Sequence, residues 1–220
     1  MSELLLIAAS GLAREVLAMV RSSGPFNVIG ILDDDEDKLG RVVDGAHVLG
    51  PIRDALKFPH ALLLVCIGSG SGRESVVMRL RSLGLAEDRY ATAIDPSVHV
   101  PEGCRIGKGS IILAHVSMTA SVTIGNHVVA MPGVTFTHDD VIADFATFAS
   151  GVSLGGNVSI GRAAYIGMNA SVRERRTIGP MATIGMGAAV LTDVPGNETW
   201  AGVPARIIRR GDFPALEGAL

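Results

Sequence analysis

Leu154-Gly-Gly-Asn-Val158-Ser-Ile160-Gly-Arg-Ala-Ala164-Tyr-Ile166-Gly-Met-Asn-Ala170-Ser-Val172 advances in steps of six: a large apolar residue, then a small one four positions on. Followed outward, the large residue recurs seventeen times without an insertion, from Ile94 through Phe136 and Phe148 to Val190. The small one runs from Val98 to Val194, and only Asp140 and Arg176 break that second rule. A period of six fits neither the 3.6 of a helix nor the alternation of an ordinary strand. It fits a coil that turns a corner every six residues and closes after three faces, eighteen residues per coil. Stacked coils then bury a column that no single repeat could bury alone. Ile-Gly pairs at 106–107, 124–125, 160–161, 166–167, 178–179 and 184–185 are expected at the corners, where glycine accepts unusual backbone angles.

The 220 residues suffice for one large domain or two small ones. A net charge of −3 and a pI near 6.1 give no general pull toward nucleic acid or membrane. Leu4–Ala9 is too short an apolar run, and Gly11 and Arg14 follow too soon, for a signal peptide or a membrane span. The expected location is cytoplasmic. Cys66 and Cys104 read as buried thiols rather than a disulfide or a metal site.

Before the repeats, residues 4–8 form a buried strand, Leu12 to Ser23 a helix stopped by Gly24-Pro25, and Val28 to Leu32 a second strand that runs into Asp33-Asp34-Asp35. A helix is expected over Pro51 to Phe58 and a third strand over Ala61 to Ile67. The turn Gly68-Ser-Gly-Ser-Gly72 follows, then a helix over Arg73 to Leu83 with Val76, Val77 and Leu80 inward. That alternation predicts a small Rossmann-like parallel α/β domain over residues 1–88, with residues 89–220 forming the coil and a C-terminal tail. Ligands of such sheets bind at the carboxyl ends of strands, where helix N-termini present free N–H groups. Ser10-Gly11, Asp33-Asp34 and Gly68 stand at those ends. Neither glycine turn carries the full dinucleotide fingerprint, which argues against a nicotinamide cofactor.

The hexads resemble those of the left-handed parallel β-helix acyltransferases. A small α/β domain with Ser-Gly after its first strand and Leu-Asp-Asp after its second, placed ahead of such a helix, resembles the bacterial nucleotide-sugar N-acetyltransferases. Sialic acid O-acetyltransferases share the plan. The resemblance implies that Ser10, Gly11, Asp33, Asp34 and Gly68 hold the nucleotide of a nucleotide-linked amino sugar. Two positions depart from it: Leu12-Ala13 follows Gly11 where relatives often have histidine, and Ser69 stands where Asn or Asp is common.

Of six histidines, His47 and His60 fall in or near loops, and His99, His115 and His127 on outward positions of the hexads, all read as surface residues. His138 differs. Its hexad runs Phe136-Thr-His-Asp-Asp-Val141, with Asp139 beside it and Asp140 in the small inward position. Imidazole next to a carboxylate has the parts for general base catalysis. The resemblance assigns His138 as base and Asp139 as its orienter, and puts Thr147 where some relatives carry a second histidine. Zinc would need three imidazoles together, and the twelve- and eleven-residue steps between His115, His127 and His138 do not gather them on one face of one chain, so no metal is expected.

For the acyl donor, Gly155-Gly156-Asn157-Val158 and Ile166-Gly167-Met168-Asn169-Ala170 resemble stretches that meet the acetyl thioester and pantetheine arm. Gly185-Met186-Gly187, one coil further, is placed with them. Trp200-Ala-Gly-Val-Pro204-Ala-Arg206 looks like the closing motif of coenzyme A-dependent hexapeptide transferases. Arg176, at an inward position, cannot lie bare in the core, so a bulge is expected around Val172 to Thr177. Together these features predict an acetyl-coenzyme A-dependent transferase acting on the amino group of a nucleotide-linked deoxy sugar by direct transfer, and the resemblance implies a homotrimer with sites between neighbours. A sugar O-acetyltransferase and a non-catalytic β-helix scaffold are the alternatives.

Overall fold

Eighteen residues do make one coil. Thr123 pairs in parallel with Val141, Val141 with Ser159 and Ser159 with Thr177, and the other two faces repeat the same offset. The computed structural model describes residues 1–23 and 25–211; Gly24, expected to end the first helix, and the tail from residue 212 lie outside the described residues. Three parallel sheets of two-residue strands form the walls of a left-handed β-helix. From Ile112 to Val190 every sixth residue is buried in one continuous column. Phe136 and Phe148 meet edge to face in it, their ring centroids 5.0 Å apart, and truncating either ring to Ala would cost about 3–5 kcal/mol. Ile94, Val100 and Ile106 are less covered because they belong to the terminal coil.

The corners are built differently from the sequence expectation. Left-handed angles fall on every sixth residue from Gly103 to Gly187, including His115, His127, Asp139, Asn157 and Asn169. That slot lies directly before the small inward residue. The glycines of the Ile-Gly pairs do not supply those angles. They are small because the next coil presses on them: a Cβ on Gly107 would lie 2.5 Å from the Gly125 carbonyl carbon, and one on Gly167 2.7 Å from the Ile184 oxygen. The expected bulge at Arg176 is absent as well. Ser159 pairs with Thr177 in unbroken register, and the Arg176 side chain leaves the column to reach Glu174 O at 3.4 Å and Asp193 at 3.6 Å. Its long stem lets the head escape without moving the backbone.

The α/β part contains β1 (Ser2–Ile7), α1 (Gly11–Ser23), β2 (Phe26–Leu32), β3 (Val42–Val43), β4 (Ala46–Gly50), β5 (Leu62–Val65) and α2 (Gly70–Ser82), with sheet order β3-β4-β2-β1-β5. All pairings are parallel except β3 with β4. The sequence reading lacks the β3–β4 ribbon, although Ala46 to Gly50 alternates buried and exposed residues as a strand should. The helix expected over 51–58 is a 3-10 helix at Ile52–Lys57. The helix expected from Arg73 begins at Gly70, because Ser69 caps it by accepting from Gly72 N–H, so only Gly68 and Ser69 remain in the turn. Cys66 is buried, whereas Cys104 is only half-buried.

One face of the β-helix carries this sheet. Ala93, Ile111, Leu113 and Val129 join the core of β1 and α1, while Phe145 and Ala163 join that of β5 and α2. Among the described residues no helix is long and apolar enough to cross a membrane.

Candidate active site

His138 stands at the corner between the strands Thr135–Phe136 and Val141–Ile142, exposed to solvent. Asp139 takes the left-handed slot at φ 63° and turns its carboxylate back, so that Oδ2 lies 2.9 Å from His138 Nδ1. With the proton on Nδ1, Nε2 is left as the acceptor. The ring rests on Gly156, one coil further along: a Cβ there would fall 2.3 Å from Nε2. Gly156 is therefore small because an imidazole occupies the space of its side chain. Its N–H donates to no acceptor among the described residues, while Asn157 N–H next to it donates to His138 O at 2.8 Å. A proton acceptor and a free N–H donor thus lie side by side on an open surface.

Asp140 is the buried support of this corner. Its Oδ2 accepts from Thr137 N–H at 2.8 Å, and Oδ1 from Val158 N–H at 2.9 Å, tying the coil that carries His138 to the next one. Burial pushes its carboxyl up to about 6, against the pull of those two donors. Ser110 at the equivalent position also accepts from the next coil, at Val128 N–H, but with one oxygen instead of two.

The three strand ends of the α/β sheet meet at one edge. Ser10 Oγ donates to Cys66 O at 2.6 Å and accepts from Ala13 N–H, joining the ends of β1 and β5. Asp33 accepts from Ala9 N–H at 2.7 Å, from Asp35 N–H and from Lys38 Nζ. Burial works to raise its carboxyl, but those donors together hold it below the usual carboxylate range. Asp33 thus shapes the first turn, and it also lines the cleft beside Asp34. Asp34 accepts from Ile52 N–H and pairs with Arg79, lining an 830 Å³ cleft with Gly50, Arg53 and Leu83. Gly68 O accepts from Arg73 and Thr147.

The stretches assigned to the acyl donor lie on other corners. Gly167, Met168 and Asn169 form one corner, with Asn169 close over Gly151, and Met186 stacks one coil beyond, where Gly187 N–H donates to Met168 O. The Glu198–Ala201 and Arg206–Arg210 strands close the far end as an antiparallel pair, Pro204 lies between them, and Arg206 donates to Ala205 O. Within one chain, then, the strand ends, the His138 corner and the Met168 corner are three separate places. Among the described residues, the side-chain hydrogen bonds from the α/β part to the coils go to the face bordered by Gly107, His127 and Phe145, not to the His138 corner.

Two residues contradict or escape the sequence reading. His127 is not on the surface: α2 and Tyr90 cover it, its ring stacks on Phe145 at 5.0 Å, and neither ring nitrogen has a partner. Burial, with Arg73 adding to it, pushes its imidazole down to about 4. Arg73, named in the sequence only as the start of a helix, is wholly buried in the joint between the two parts. A signal existed, since Arg73, Val76, Val77 and Leu80 share one helical stripe and a cation in an apolar stripe needs partners. Thr147 is buried beside it, bonded to Gly68 O and Arg73, so its hydroxyl is committed to that joint.

Residues 3–80 match the family of PglD N-terminal domains. The chain is 31% identical over 140 residues to the galactoside O-acetyltransferase of Escherichia coli (strain K12), a match covering 57% of this chain and 66% of that enzyme. Among solved structures, the acetyltransferase domain of PglB from Neisseria gonorrhoeae FA1090 in complex with acetyl coenzyme A superposes with a TM-score of 0.85 at 28% identity, covering 94% of this chain and 99% of that one. PerB from Caulobacter crescentus, in complex with CoA and GDP-perosamine, gives 0.84 at 28% identity, covering 94% and 97%. WeeI from Acinetobacter baumannii AYE gives 0.82 at 29%, covering 94% and 100%.

Proposed function

We propose that this chain, which belongs to the hexapeptide-repeat acyltransferases, moves an acetyl group from acetyl-coenzyme A to the amino group of a nucleotide-linked deoxy sugar. The observation that carries the reading is the His138–Asp139 pair lying on Gly156 at a solvent-open corner. In this reaction the sugar amine attacks the thioester carbonyl, a C–N bond forms and the C–S bond breaks, coenzyme A leaving as a thiolate that takes up the proton released from nitrogen. His138 Nε2 takes the ammonium proton, Asp139 holds the tautomer and steadies the cation, and Gly156 N–H meets the developing oxyanion. Both substrates meet in one cleft, so no covalent enzyme intermediate is required.

The nucleotide lies at the strand ends, where Ser10 and Gly11 open α1, Asp34 faces the cleft with Arg79, and Gly68 begins the turn before α2. Coenzyme A runs along Gly167, Met168, Asn169 and Met186 toward Pro204 and Arg206. Because one chain holds these places apart, the working site is assembled between neighbouring copies, with a trimer as the assembly. PglB crystallised with acetyl coenzyme A, and PerB with CoA and GDP-perosamine, support the two substrate classes.

Release of free thiol from acetyl-coenzyme A, followed across UDP-, dTDP- and GDP-linked amino sugars, tests the reading. Turnover with at least one of them is expected. The identity with a galactoside O-acetyltransferase favours a second reading, transfer to a sugar hydroxyl. Turnover with free sugars or glycosides, and none with amino sugar nucleotides, would establish that reading instead.

A further inference from the structure

Arg73 sits where the two parts of the molecule touch and is satisfied entirely by neutral oxygens. Its Nη1 donates to Ile67 O at 2.5 Å and Gly68 O at 3.1 Å, both in the turn after β5. Nε donates to His127 O at 2.9 Å, and Nη2 to Phe145 O, Ala146 O and Thr147 Oγ1 at 2.8 to 3.0 Å, all in the β-helix. Thr147 returns a second bond to Gly68 O at 2.9 Å. No carboxylate is among its partners, although burying a guanidinium without one is expensive and apolar packing would serve a joint at lower cost. What a planar fork provides and apolar packing does not is fixed direction. The joint leaves no slack, since a Cβ on Gly70 would lie 2.3 Å from Phe145 O.

We propose that Arg73 is a positioning residue for transfer: its fork, with Thr147, locks the Ile67–Gly68 turn to the β-helix and so sets where the sugar of a bound nucleotide-sugar falls relative to the acyl-transfer groove. This rests on the reading of the strand ends as the acceptor site. Thr147, standing where some relatives carry a histidine, is thereby part of the lock rather than of the proton path. The Arg162–Glu74 ion pair, 2.6 Å long and partly exposed at the rim of the same joint, is not required for it.

The test compares Arg73→Lys, Thr147→Val and the rim control Glu74→Gln as full chains. Acceptor kcat/KM is measured with the best sugar nucleotide of the panel, and acetyl-coenzyme A affinity by calorimetry. A misplacement of the acceptor by about an ångström is expected to cost Arg73→Lys about ten- to a hundredfold in acceptor kcat/KM and Thr147→Val about threefold. Acetyl-coenzyme A affinity should stay within about twofold in both variants, and Glu74→Gln should match wild type. Unchanged acceptor kcat/KM in folded Arg73→Lys, or a loss of acetyl-coenzyme A affinity in the same proportion, would overturn the proposal. Should wild-type protein accept no sugar nucleotide, the acceptor reading itself fails. Amide exchange then decides on the lock: faster exchange confined to Gly68–Gly72 in Arg73→Lys upholds it, and unchanged exchange sinks it.

Discussion

His127 and His138 lie eleven residues apart on the same coil, yet one is a buried, partnerless ring and the other an exposed, partnered one. Neither fate follows from the hexad slot. His127 occupies the same left-handed slot as Asp139, twelve residues later, and Asp139 is open to water. The difference is what covers the corner: Tyr90 and α2 of the α/β part close over His127, and no described hydrogen bond or ion pair of that part reaches His138. What docks against each face decides which titratable groups of the solenoid meet water, and of these two histidines only His138 does.

Deleting the exposed member should have the largest consequence. His138→Ala is expected to lower kcat by about 10²–10⁴ with an unchanged thermal midpoint, whereas full turnover in a folded variant would erase the distinction between the two histidines. Next comes Gly156→Ala, which places a methyl 2.3 Å from Nε2. No backbone strain is involved, because Gly156 has no left-handed angle, and the imidazole must swing away. The expected loss in kcat is about ten- to a hundredfold, with acetyl-coenzyme A affinity little changed. A wild-type rate would mean that the contact between ring and glycine is incidental.

The buried member makes an opposite prediction, in stability. Its folded pKa of about 4 lies below the unfolded value near 6.5, so acid protonates the unfolded chain first. The contribution of His127 is fully present above about pH 6.5, is lost progressively as pH falls toward 4, and amounts to about 3 kcal/mol over that window. Proton-detected titration of the imidazole together with urea unfolding at several pH values would read this directly. An apparent pKa above 6 would show that the corner is open. A smaller effect is expected from Asp34→Ala, which removes the carboxylate facing the cleft: about a three- to tenfold rise in acceptor KM with kcat held. An unaltered KM would place the nucleotide elsewhere.

The β-helix was legible because its period is local and unbroken, and three-face closure follows from six-residue steps. His138-Asp139 was legible because Asp140 violates the inward rule beside them. The β3–β4 ribbon escaped because two- and five-residue strands carry too little pattern to stand out. The 3-10 segment at Ile52–Lys57 and the smooth passage at Arg176 were settled by packing and by a side chain long enough to leave the column. Arg73, Thr147 and the burial of His127 all arise from docking of one part on the other, with sequence separations of 54 to 79 residues, and no local pattern encodes such a contact.

The most direct measurement is a crystal structure of the assembled protein with acetyl-coenzyme A bound. The thioester carbonyl oxygen should lie about 2.7–3.1 Å from Gly156 N, with His138 Nε2 facing the same groove. A pantetheine arm that ends at a different corner, out of reach of His138, would contradict the assignment of this corner to catalysis.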